Sequence, residues 1–114
     1  MISVLALAAL TLTPWRGSDL PTATQAAAKY RLTLTGTPGK TVHLSVTGVA
    51  DGWIAAFCDN RVCSPTRVTE TIPKSGQVVV QFELIRETDD APHASGAVIR
   101  SDDGHAVTVP SASR

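Results

Sequence analysis

The chain is 114 residues long, enough for one domain, and its ten basic and ten acidic side chains cancel. That balance argues against a polyanion-binding surface, so nucleic acid and anionic lipid are not expected partners. Aromatic residues are few, at 4%, while Thr and Val recur throughout, a composition that leans towards β structure.

Residues 2–12, ISVLALAALTL, form a compact apolar run. It is too short for a bilayer-spanning helix, which needs roughly 17–25 residues, so no stable membrane span is expected. It suits the hydrophobic region of a secretory signal, and Ala26-Ala27-Ala28 offers a small-residue cleavage pattern before Lys29. No Lys or Arg precedes the run, and 13–25 is long for a cleavage region; a buried hydrophobic terminus is the competing reading. The expected organisation is an export segment with a short tether over 1–28, then one domain over 29–114. About 86 residues are small but sufficient for a sandwich core, which one disulfide would help.

Residues 30–35, YRLTLT, alternate strictly, with Tyr30, Leu32 and Leu34 facing in. Gly36-Thr-Pro-Gly39 is a turn. Residues 41–49 alternate again, with Val42, Leu44 and Val46 inward and His43 outward. Ala50-Asp51-Gly52 turns the chain into 53–57, WIAAF, an unbroken apolar run between turn residues. A run of this kind suits a strand buried on both faces. Trp53, Ala55 and Phe57 share one face; Ile54, Ala56 and Cys58 share the other.

Asp59 and Asn60 tolerate the left-handed backbone of a tight hairpin. Four residues separate Cys58 from Cys63, and a hairpin of that length sets them opposite each other within disulfide reach. A structural disulfide is the favoured reading. A redox pair lacks the CxxC spacing, and a metal site lacks a nearby His.

Beyond Ser64-Pro65, residues 66–72 read as a Thr-rich edge strand whose Arg67 and Glu70 discourage pairing with other chains. Pro73-Lys74-Ser75-Gly76 is a turn. Residues 77–86, QVVVQFELIR, form the longest strand, with Val78, Val80, Phe82 and Leu84 inward. Residues 87–95 make a polar crossing between sheets. Residues 96–101 and 105–109 are the last strands, joined at Asp103-Gly104, a hairpin signal. About seven short strands at this spacing predict an all-β, immunoglobulin-like or fibronectin-type-III-like Greek-key β-sandwich with one local disulfide hairpin.

Strict alternation of strand direction would gather 36–39, 59–62 and 87–94 at one end of the sandwich. The other end would collect 50–52, 73–76 and 101–104. On that map Asp59, Asn60, Arg61, Asp89 and Asp90 are the candidate binding residues, with His93 beside them. Asp51, Asp102, Asp103 and His105 would share the opposite end, where a cation site is a weaker alternative. The three His residues show no ligand spacing, and neither Ser64 nor Ser75 sits in a nucleophile elbow. No catalytic residue, metal ligand or cofactor is therefore assigned.

The segments TVHLSVTGV, PKSG before QVVVQFELI, and DDAPHASGAVIRSDDG resemble immunoglobulin-like accessory modules of bacterial secreted and surface proteins, over about residues 29–110. The local Cys pair departs from the usual pattern, in which two cysteines pin the sheets across a tryptophan. The resemblance implies a spacer, adhesion unit or partner-binding domain and carries over no catalytic residues. The expectation is a secreted or periplasmic monomer that binds a protein or cell-envelope partner and performs no catalysis. The alternatives are a small periplasmic metal-binding protein and a secreted enzyme inhibitor.

Overall fold

The computed structural model describes residues 9–14, 27–59, 62–88, 91 and 96–110. Among them the chain forms nine strands and no helix: β1 (Ala9–Pro14), β2 (Ala27–Thr35), β3 (Thr41–Thr47), β4 (Trp53–Asp59), β5 (Val62–Pro65), β6 (Arg67–Thr71), β7 (Gln77–Arg86), β8 (Val98–Ser101) and β9 (Ala106–Thr108). Two antiparallel sheets result, ordered β1-β2-β7-β4-β5 (sheet A) and β6-β3-β8-β9 (sheet B). The orders β1-β2-β7-β4 and β3-β8-β9 are those of a constant-type immunoglobulin sandwich, and β5 and β6 are additions at the sheet edges.

Alternating apolar residues build the core between the sheets. Leu32, Phe57, Val80, Phe82 and Ile99 are fully buried, and Leu44 and Leu84 nearly so. Tyr30, Phe82 and Phe57 lie in one row across β2, β7 and β4, with ring centroids 6.0 and 5.1 Å apart. Tilted rings at that separation add to the gain from their buried area. The Tyr30 hydroxyl donates to the Pro110 carbonyl at 3.0 Å, tying the chain beyond β9 to the core. Burial raises the Tyr30 pKa.

The structure departs from the sequence reading in three places. Residues 9–12, the end of the apolar run expected outside the domain, open β1, which pairs with β2 from Ala9↔Thr35 to Pro14↔Tyr30. Leu10 and Leu12 pack against the core, because ALTLT alternates as well as any other strand here. β2 begins at Ala27, so the expected boundary after residue 28 falls inside a strand. Second, β4 is buried on one face only. Ile54 is 42% exposed, because no described residue covers the outer face of sheet A there.

Third, the arrangement of the two ends differs. β5 pairs with β4 in sheet A, and β6 pairs with β3 in sheet B, so 62–71 holds two strands where one was expected. The reversal falls at Thr66, whose φ is 61°. Its N–H donates to Ala55 of sheet A (3.4 Å), and its carbonyl accepts from Val46 of sheet B (2.9 Å). One extra strand inverts the direction of everything downstream. Residues 36–39 and 72–76 therefore meet: Gly36 N–H donates to Gly76 (3.0 Å) and Gly39 N–H to Ile72 (2.7 Å). Residues 101–104 join them through Lys40 and Asp103, 3.6 Å apart. Glu87, just after β7, lies at the opposite end, where its N–H donates to Gly52 at 2.8 Å. The Gly48 backbone passes so close to the chain before β8 that a Cβ there would lie 2.6 Å from the Gly96 carbonyl oxygen, which requires glycine.

The Cys58–Cys63 disulfide forms as expected, between directly opposed residues with Cα atoms 4.0 Å apart. Replacing both cysteines by Ser should lower stability by about 2 kcal/mol with the fold retained, measured by urea unfolding with and without reductant. A β-branched residue at positive φ is strained by about 1–2 kcal/mol. Thr66→Gly should therefore raise the unfolding midpoint by up to about 1 kcal/mol, once the added freedom of the unfolded chain is subtracted. A fall in the midpoint would show that the Thr side chain itself holds the crossover.

Candidate functional site

Three groupings of polar side chains bear on function. The first lies between the sheets. Alternation along β4 places Asp59 inward after Trp53, Ala55 and Phe57. Alternation along β6 places Glu70 inward, opposite Val42. Glu70 is buried, and its carboxyl shares a hydrogen bond with that of Asp59. Burial, then this hydrogen bond and the Asp59 charge, push the Glu70 pKa up to about 7. Glu70 thus keeps its proton to higher pH than an ordinary carboxyl, facing Asp59 across the layers. Glu70 was expected to be an exposed edge charge. Arg67 and Glu70 are three residues apart, so in a strand they must face opposite ways.

The second grouping closes the β8–β9 turn. Ser101 Oγ donates to Asp103 Oδ1, which also lies 3.0 Å from His105 Nδ1. His105 N–H donates back to Ser101 Oγ at 3.2 Å. These bonds, led by that from Ser101, hold the Asp103 pKa down to about 2. A Ser, an Asp and a His together invite a hydrolytic reading, but the geometry opposes it. The hydroxyl and the imidazole both address the carboxylate, so the imidazole is not set to take the hydroxyl proton. The space beside the cluster is only about 10 Å³, about one water.

The third grouping is open to solvent. A groove of about 600 Å³ crosses the outer face of sheet B over β6, β3 and β8. Ser45 lies at its centre, directly opposite Arg67 on one side and Arg100 on the other. Cross-strand partners share a face, so one row reads Arg67, Ser45, Arg100. His43 occupies the next row, with its Nδ1 3.0 Å from Thr69 Oγ1. Asp102 lines the rim, and its Oδ1 accepts from His43 N–H at 3.0 Å. Among the described residues neither Arg67 nor Arg100 makes an ion pair, whereas Lys40 pairs with Asp103.

Of the candidate binding residues, Asp59 is engaged with Glu70 and is not presented at a tip. Asn60, Arg61, Asp89, Asp90 and His93 lie outside the described residues. Ala91, next to Asp90, sits against Gly52 at the start of β4, at the other end of the sandwich from Asp59. Asp51 likewise lies at the far end from Asp103. Among the described residues, no three His, Cys, Asp or Glu side chains converge as metal ligands, and no helix is long and apolar enough to cross a membrane. The arginine row was missed because it depends on β6 and β8 both flanking β3, and no local pattern encodes that pairing.

No family model matches this chain, and no curated protein matches it in sequence.

The raised Glu70 pKa makes stability pH-dependent. A carboxyl that ionises at 4.5 when unfolded and at about 7 when folded binds more protons in the folded state. Its contribution is fully present below pH 4.5 and declines as pH rises through about 7, by up to about 3 kcal/mol. Glu70→Gln keeps a donor for Asp59 without a proton to lose. The variant should flatten the stability profile between pH 5 and 8 and exceed the parent at pH 8, measured by urea midpoints. Parallel profiles for the two proteins would show that Glu70 does not set this pH dependence.

Proposed function

We propose that this protein is an exported, non-catalytic interaction module of the immunoglobulin-like kind, residing in the periplasm or outside the cell. It binds a protein or cell-envelope partner across the outer face of sheet B. One observation carries the reading: the groove is open to solvent, and among the described residues neither Arg67 nor Arg100 in it makes an ion pair. The other reactive-looking groups are occupied by the fold. Asp59 and Glu70 bond each other, and Ser101 and His105 bond Asp103. A surface that keeps two cations unmatched on a chain of balanced charge is suited to recognition.

The disulfide in a small domain supports an oxidising compartment. The apolar run at 2–12 supports a secretory leader, although its end also serves as β1. Binding across the sheet face replaces the loop-tip reading, because Asp59 is committed to Glu70.

The test is to recover the protein from the envelope and cytosol of its own producing cells with a photo-crosslinker at Thr69 in the groove or at Thr33 on sheet A. Mass spectrometry then reads the thiol state, the amino terminus and any adduct. An oxidised envelope form that crosslinks to one defined species from Thr69, and loses it in Arg67→Glu, is the expected result. A reduced cytosolic form, or equal capture from Thr33, would overturn the reading. A terminus upstream of Ala9 keeps β1; one at Lys29 leaves β2 as the sheet edge.

A further inference from the structure

We propose that the groove binds a phosphate-type oxyanion, a phosphoryl or sulfate group, held between the guanidinium groups of Arg67 and Arg100 above Ser45. The inference rests on reading the outer face of sheet B as the recognition surface, and it names the chemistry that surface takes.

Register carries the argument. Arg67 and Arg100 stand on the two strands that flank β3, each paired with the same residue, Ser45. Neighbouring strands are about 4.8 Å apart, so the two arginine Cα atoms are separated by about 10 Å. Half that distance is within reach of an extended arginine side chain, so both can close on a group seated over Ser45. Two like charges in one cross-strand row repel each other, and an anion between them converts that repulsion into two attractions.

The donor set selects the ligand. Each guanidinium offers a planar fork that pairs bidentately with two oxygens. The Ser45 hydroxyl lies beneath them, and Thr47 and His43 line the groove on either side. A carboxylate has two oxygens and leaves part of this set unused. A tetrahedral oxyanion has enough oxygens for both forks and the hydroxyl. The acidic group at the rim, Asp102, accepts the His43 N–H through Oδ1 and lies one row away from the arginines.

The test is an amide chemical-shift titration of the oxidised full chain with inorganic phosphate at low ionic strength. Saturable shifts centred on Ser45, Arg67 and Arg100 are expected, with sulfate competing and acetate at least about tenfold weaker. Arg67→Gln and Arg100→Gln, both at exposed positions, should each weaken binding by about tenfold or more. Lys74→Gln, on the 73–76 turn, should leave binding unchanged. Failure to saturate, full binding by either arginine variant, equal binding of acetate, or an equal loss in Lys74→Gln would each overturn the proposal. Vesicles of phosphatidic acid, whose headgroup is a terminal phosphoryl group, identify the source. Vesicle binding that inorganic phosphate displaces points to a headgroup, and phosphate binding without vesicle binding points to a free or polymer-borne group. Vesicle binding without phosphate binding would reveal diffuse attraction and overturn the site. A negative titration leaves the crosslinking test intact, since a partner can dock on the face without an oxyanion.

Discussion

Thr66 holds one backbone hydrogen bond in each sheet, and the remaining architecture depends on that arrangement. Its N–H serves sheet A and its carbonyl serves sheet B, so a single residue carries the chain from one layer to the other. The positive φ is the conformational cost of doing so within one residue. The turn sets the direction of β6, hence that of β7 and β8, and so decides which loops share an end. It also lays β6 along β3, which builds one wall of the groove.

The same crossover brings a carboxyl from each sheet into contact. Asp59 ends the inward row of β4, and Glu70 stands in the inward row of β6. Two charged carboxylates between packed sheets would be costly, so Glu70 retains its proton and the pair becomes a hydrogen bond. Burial also claims Arg86, fully enclosed at the end of β7 across from Trp53. Asp59 and Glu70 connect the layers and face the interior, away from the groove lining.

The outer face of sheet B follows a different rule. Its residues belong to short strands that alternate cleanly, so every second side chain meets water. The chain's charges cancel as a whole, yet they are distributed unevenly in space. Asp103 takes Lys40 and His105 at the hairpin end, while Arg67 and Arg100 stand beside Ser45 without an acidic neighbour in their row. Neutral composition argues against a broad polyanion surface but leaves room for a local cationic seat.

By itself the sequence determined which side chains face inward and where most turns fall. Side-chain direction alternates with a period of two, so Leu32, Leu44, Phe57 and Phe82 declare their burial locally. The spacing of Cys58 and Cys63 likewise carried its own hairpin. The parity of Asp59 and Glu70 was also legible along each strand, but their meeting was not. Tertiary structure alone decided which strands became neighbours. It recruited Ala9–Pro14 to the edge of β2, reversed the chain at Thr66, set Asp59 against Glu70, and placed Arg67 and Arg100 around Ser45. Strand pairing joins residues distant in the chain through backbone groups that every residue carries, so no local pattern announces the partner.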